Sequence, residues 1–489
     1  MKRIIGTLAL ISMLMLSCSK EFISIDPVST VTTDLVYKTD KDFQDALTNT
    51  YAVFQNVYSD MWQIGDLRGD DTKSGLVSNL TASEMDKFIL NSDAGIVSNA
   101  WRNYYIIINR ANYILAKIAN ADVAVVTKKD RYIGETKFLR ALAYFNLVRI
   151  FGDVPMVVTV LSIDEAYKVP REKVDKIYSE VIIPDLLDAA NKLPVSYTGT
   201  DVGRATQGAA KALLGKVYLT THDFIKAETT LQALTASPFT YALLPKFNDL
   251  FDYLKNEHHS EYIFDIEYEE GINEGSTFTT QFSLSFQASG ALSQVLIDAF
   301  KLPSSTIGSG GDQGCPHDGL FSAFNPVDLR MGITCAKGYT YNGVYTPISP
   351  TGIGSFTLKY MVTSVKLNDS RANWKVIRYA DVLLMLAEAL NENGKTTEAL
   401  VQLNKVRMRA GVPVYTGLTQ ADARNKILLE RRFELHMEGH RWFDLLRTGL
   451  AYTTMQPFGM KPYNTVFPIP LAQIEVVNNP QIFPQNEGY

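Results

Sequence analysis

Three cysteines are few for 489 residues, and no two of them are spaced as C-x-x-C. The chain therefore lacks the paired-cysteine frame of a structural zinc site or a redox motif. Histidine is also scarce, with six. His436 and His440 stand one helical turn apart, but Met437 follows His436, so the H-E-x-x-H order of a zinc hydrolase is missing. Both project into an apolar sector and read as packed or hydrogen-bonded. His258-His259 lies in a charged loop and reads as solvated. There is no G-x-S-x-G elbow. The glycines of 308–314 lack the Lys-Ser/Thr of a phosphate loop and read as a flexible turn. Charge of one sign is lacking too: 47 Lys and Arg against 52 Asp and Glu leave a net charge of −5. Nucleic-acid binding needs a basic footprint, which is absent. No cofactor and no metal follow from any of these patterns.

The first apolar run, residues 4–16, is shorter than the about 20 residues of a membrane span. It follows Lys2-Arg3 and ends at Leu16-Ser17-Cys18, with Met15 where lipoprotein signals prefer Leu. That order predicts a signal peptide over 1–17 and lipid attachment at Cys18. An ordinary cleaved signal is the alternative. In an extracytoplasmic compartment Cys315 and Cys335 either form a disulfide, whose loop of about 20 residues would contribute roughly 3 kcal/mol, or stay as two buried thiols.

What is abundant is aromatic: 25 Tyr and 24 Phe. Most must be core, and the surplus leaves some for a binding surface. Apolar periodicity predicts helices over 42–58, 101–118, 131–150, 174–193, 209–220 and 224–234. Ala387, Leu390, Ala399 and Leu403 repeat the spacing of Gly215, Tyr218, Ala227 and Leu231. A small residue, a larger one three on, then Ala and a large apolar residue is the phase of a tetratricopeptide helix pair. Over 427–447, Phe433, Leu435, Trp442 and Phe443 share one sector, with Glu430, Glu434, Glu438 and Arg441 opposite. Gly439 should break that helix and start a short one at His440. Residues 263–269 alternate as a strand does, with Asp265, Glu267 and Glu269 on one face, read as solvated in preference to calcium-binding. From 271 to 364 the chain reads as irregular loops and short strands.

Six segments, RYADVLLMLAEA (378–389), LNKVRMRA (403–410), ERRFELHMEGHRWFDLLR (430–447), the ending 467–489, FLRALAYFNLVRIFGDVP (138–155) and 203–219, together resemble the SusD/RagB family of Bacteroidetes surface lipoproteins. The resemblance implies a mainly α fold, a tetratricopeptide-like helical-repeat scaffold with an irregular, loop-rich second half. The regions are then 18–260, carrying the helix pairs, and 261–489, divided into a loop-rich 261–365, the helical signature 374–447 and a tail 448–489. It also implies a non-catalytic, lipid-anchored outer-membrane protein of the cell surface. Such a protein captures an oligo- or polysaccharide and delivers it to a SusC-like TonB-dependent transporter, touching the membrane through its anchor only. The rival readings are a surface glycoside hydrolase, a protein-binding tetratricopeptide scaffold and a peptide-binding lipoprotein.

A glycan site needs an aromatic face to stack on a sugar ring and polar groups for its hydroxyls. Trp101, Trp374 and Trp442 lie in helical motifs and read as core. Trp62 lies in a loop with Asp66, Arg68 and Asp70. Tyr339, Tyr341 and Tyr345 lie among Gly338, Asn342 and Gly343, where small neighbours leave rings accessible. These two regions are expected to converge on one face.

Overall fold

Thr39 opens the first helix with a reciprocal cap: its hydroxyl accepts from the Asp42 amide, and the Asp42 carboxylate accepts from the Thr39 amide. This computed structural model describes residues 37–75, 80–254, 257–303, 311–349 and 353–489, so the signal segment and Cys18 lie outside the described residues. The principal helices are α1 (Asp40–Tyr58), α2 (Gly95–Ala119), α3 (Lys129–Phe151), α4 (Ile183–Lys192), α5 (Gln207–Thr220), α6 (Phe224–Gln232), α7 (Phe286–Phe300), α8 (Tyr379–Glu392), α9 (Thr396–Arg409), α10 (Gln420–Leu435), α11 (Arg441–Arg447) and α12 (Leu471–Val477). From α1 to α6 each helix packs on the next, and α6 packs on α8, which packs on α9 and α10. This stepwise order is that of a helical-repeat scaffold. The close approach expected at Gly215 is real, since a Cβ there would sit 2.4 Å from Leu231 Cδ2. Ala387 is fully buried in α8.

The main core draws on residues from Phe43 to Phe483 and so crosses the boundary expected at 260. A second cluster gathers around α7, with Leu292 and Leu296 at its centre. That helix corrects the reading of 271–364 as loops and short strands. Its first turns carry Ser and Gly, and Ser289 takes a non-helical φ of −168° inside it, which hides the period in the sequence. The strands are short: β1 (Tyr262–Ile266) pairs antiparallel with β4 (Trp374–Arg378), and β2 (Gly338–Tyr341) with β3 (Val344–Pro347).

Two expectations about charge are corrected. Asp265 is not on a solvated face, because β4 covers β1 and Lys375 Nζ lies 3.0 Å from its carboxylate, both buried. Burial raises the Asp265 carboxyl to about 6 while Lys375 opposes the shift. Neither are His258 and Glu267 simply solvated, since they pair at 2.6 Å. The acidic residues at the end of α10 and in the turn after it also face inward. Glu430, Glu434 and Glu438 are 1%, 0% and 2% exposed. Glu434 is held by Arg330 at 3.0 Å and by Arg378 and Arg409. Glu438 is held by Arg378 at 2.7 Å and Lys359 at 2.8 Å. A buried carboxylate needs such partners.

Cys315 and Cys335 are both free and buried. The first sits in the α7 cluster, the second beside Phe324 and Phe433 in another. Burial raises both thiols far above their ordinary range. The disulfide alternative is therefore not the one the chain adopts here.

Candidate functional site

Trp62, Asp66, Arg68 and Asp70 turn their binding chemistry on the chain itself. Trp62 is fully buried, edge-on to Phe282 with ring centroids 5.5 Å apart. Its ring has no face to offer a sugar, which corrects the expectation of exposure. Asp66 Oδ2 accepts from the Gly439 amide at 2.6 Å. Gly65 and Gly439 meet so closely there that a Cβ on Gly65 would lie 2.5 Å from the Gly439 carbonyl oxygen. Arg68 donates to the Asn464 carbonyl at 2.8 Å, and its guanidinium lies over the rings of Phe88, Trp442 and Phe467 at 4.6, 5.1 and 4.3 Å. Asp70 pairs with Arg441 at 2.7 Å and Arg432 at 3.2 Å. Residues 61–67 are helical, which corrects their reading as a loop, and with Arg68 and Asp70 they clamp the turn between α10 and α11. At the same turn His436 is buried, 3.1 Å from the Thr72 hydroxyl, and burial drives it down to about 3.

The three tyrosines occupy a hairpin whose tip is Asn342-Gly343, both at positive φ. Strand alternation divides them: Tyr339 pairs with Thr346 and Tyr341 with Val344, while Tyr345 pairs with Thr340 on the other side. Tyr339 is half-buried against Phe300, and Tyr345 is 58% exposed. The hairpin packs on the α7 cluster and Trp62 in the main core, so the two regions are not brought onto one aromatic face.

A different place has the expected chemistry. A cleft of about 980 Å³ runs between the first half of α2, the segment 155–167 and the C-terminal stretch 470–483. Trp101, Tyr105, Tyr167 and Phe483 line it. Trp101 is nearly covered, its ring 5.1 Å from Tyr105 and edge-on to Phe151 and Phe483 at 5.1 and 5.9 Å. Tyr105 donates to the Pro155 carbonyl at 2.8 Å, which fixes its ring. Tyr167 is 46% exposed. The same cleft is lined by Gln63, Asn99, Asn109, Gln473, Arg102 and Asp60.

Asp60 accepts from Gln63 Nε2 at 3.3 Å and Asn99 Nδ2 at 3.5 Å. Burial lifts its carboxyl to about 6, with these two amides opposing the shift. The arrangement offers apolar ring surface beside donors and acceptors, the usual character of a ligand cleft. The sequence predicts a helix over 101–118 and reads Trp101 as core. The burial of Trp101 agrees, but the cleft exists only because segments more than 50 and 350 residues further on fold against that helix. No local signal carries it.

Known proteins bear on this geometry. Residues 268–465 match the family model described as the SusD family, and residues 28–219 match one described as starch-binding associating with outer membrane. SusD-like protein P2 of Formosa agariphila is 29% identical over 100% of both chains. A SusD-like protein of Bacteroides ovatus is 25% identical over 91% of this chain and 82% of its own. Among solved structures, a laminarin-binding SusD-like protein is 27% identical, with a TM-score of 0.75 over 93% of this chain and 100% of that one. Surface glycan-binding protein A of Bacteroides thetaiotaomicron, solved with laminarihexaose, has a TM-score of 0.76 at 20% identity over 92% of this chain and 100% of its own, a likeness of fold.

Proposed function

The chain belongs to the SusD family, and from that premise we propose that it is a lipid-anchored glycan-binding protein of the outer membrane that passes its ligand to a SusC-like TonB-dependent transporter. The observation that carries the binding half of this reading is the cleft, whose lining combines Trp101, Tyr105, Tyr167 and Phe483 with side-chain amides. Sugar rings present C–H faces to aromatic rings and hydroxyls to amides. The 27% identical relative is described as laminarin-binding, which supports a glycan as the ligand class.

Hydrolysis is the less supported reading. Cleavage of a glycosidic bond takes two carboxyl groups, and among the described residues lining the cleft Asp60 is the one acid. The hairpin, with Tyr345 exposed, is retained as a second surface for an extended glycan. The test uses the soluble form that starts after Cys18, run through affinity gels containing neutral, uronic and sulfated polysaccharides. Retardation in at least one gel is expected, without turnover of the polymer. Tyr167→Ala should weaken that retention by on the order of 1–3 kcal/mol, by analogy with aromatic stacking on nucleic-acid bases. Unretarded migration in every gel would overturn the binding half, and release of reducing sugar would favour the hydrolase.

A further inference from the structure

Within that proposed glycan cleft, we propose that the Asp60–Gln63 end is the subsite that decides ligand class, accepting hydrogen bonds from the hydroxyls of an uncharged sugar unit.

Two acceptors there are short of donors. Gln63 is 6% exposed, lines the cleft, and its Oε1 has no hydrogen-bond partner among the described residues. A buried amide oxygen left unpaired is costly, so the site has room for a donor it does not itself contain. Asp60 is bound by two amides at 3.3 and 3.5 Å, at the long end for hydrogen bonds, and no cation pairs with it among the described residues. Most other buried carboxylates in this protein, such as Glu434 and Glu438, are gripped by arginine or lysine. A carboxylate offers about four lone-pair positions, enough for adjacent hydroxyls of one ring. Bonds to it are roughly twice as strong as those between neutral groups. A uronate or sulfate placed on Asp60 itself would meet a like charge there, so an anion is disfavoured at this subsite even with Arg102 elsewhere in the cleft lining.

The subsite should therefore respond to pH. Asp60 titrates near 6 because burial disfavours its charge. The other groups facing it hold still across that range. Burial keeps the phenol of Tyr268, which senses Asp60, well above its usual range. Arg102, on α2, donates to Asn99 Oδ1 at 3.1 Å. Protonation of Asp60 removes acceptor positions and the charge that strengthens them.

The experiment measures retention of the soluble chain on gels of laminarin, starch, alginate and a sulfated galactan at pH 7.5 and pH 5. A neutral polysaccharide should be retained at pH 7.5, about fivefold less at pH 5, and the two anionic polymers not at all. Asp60→Asn copies the neutral acid, so it should weaken binding at pH 7.5 to about the wild-type level at pH 5 and flatten the profile. Gln63→Met removes the orphan carbonyl and should weaken binding while leaving a pH slope. Circular dichroism and thermal melting establish that each variant is folded. Preference for an anionic polymer, or an unchanged pH slope in folded Asp60→Asn, overturns the subsite. If Tyr167→Ala still weakens retention in that case, the cleft stands as the glycan site and only the role of Asp60 falls. If Tyr167→Ala, Asp60→Asn and Gln63→Met all bind as wild type, the cleft falls with it.

Discussion

Asp66 shows how a residue with the right chemistry for a ligand can have another task. Its carboxyl is wholly buried, and burial drives it well above the usual carboxylate range despite the Gly439 amide and Lys359. The folded chain therefore keeps this proton to a higher pH than the unfolded chain does. Its contribution to stability is complete below about pH 4, the ordinary aspartate value, and is lost as pH rises towards the folded value. Asp66→Asn should escape that loss. We expect it to equal wild type near pH 4 and to gain on it by at most about 1.4 kcal/mol per pH unit above that, read from urea melts at pH 5 and pH 8. A variant less stable than wild type at pH 8 would show that Asp66 is charged in the fold. Glu438 has the opposite sign. Burial would raise it, but Arg378 and Lys359 hold it down to about 2. Its stabilisation is present above the ordinary glutamate value of about 4.3 and is lost as pH falls towards 2. Removing one partner from such a pair leaves a buried charge, so Arg378→Met should cost about 3–5 kcal/mol in the same melts at pH 7. The sequence displays the acid, base and aromatic types at 62–71 plainly. It does not display their partners, because Asp70 meets Arg441 across 371 residues and Asp66 meets Gly439 across 373.

At the scale of elements, periodicity was a good guide wherever one face was buried and the other was not. Helices α1 to α6, apart from α4, fall within a few residues of the apolar spacings at Phe43, Leu47 and Phe54, or at Ala227 and Leu231. α4 instead continues a π turn over Tyr178–Ile182, which shifts the period inside the stretch read as one helix. α10 is the informative exception in the other direction. It reads as amphipathic, yet near its C-terminal end the acidic face is internal too, because Arg330, Arg378 and Arg409 bring the counter-charges from elsewhere. The repeat phase at Gly215 and Ala387 is tested by volume. Ala387→Leu adds side-chain bulk where α8 meets α9 and α6, with no exposed surface to relax into. It should cost roughly 1–3 kcal/mol. Leu→Ala at Leu231, which fills the space over Gly215, should cost about 2–5 kcal/mol by opening a cavity. Denaturant melts of the two variants check both, and wild-type stability in either would remove the close approach from the account.

The whole molecule raises the question of how it reaches a membrane. No helix among the described residues is long and apolar enough to cross one. The anchor proposed at Cys18 would hold the body at the membrane by acyl chains, outside the described residues. Cys18→Ala should therefore move the protein out of the membrane fraction, or leave it unprocessed, while the cleft keeps its affinity for polysaccharide. The same variant separates anchoring from partnership. A tether that confines a binder to the plane of its partner raises the effective concentration of each for the other, to millimolar levels for short linkers. A transporter contact need not then be tight to be occupied. A body that covers a barrel mouth should still bury at least the standard 1,600 Å² or so of a specific interface. Detergent extracts of outer membranes bearing the wild-type protein should thus yield a co-purified TonB-dependent barrel. Extracts with Cys18→Ala supplied in soluble form at the same level should yield much less, and recover it when the soluble protein is added in large excess. Equal yield from both would place all the affinity in the contact itself, and no barrel from either would remove the transporter from the proposal.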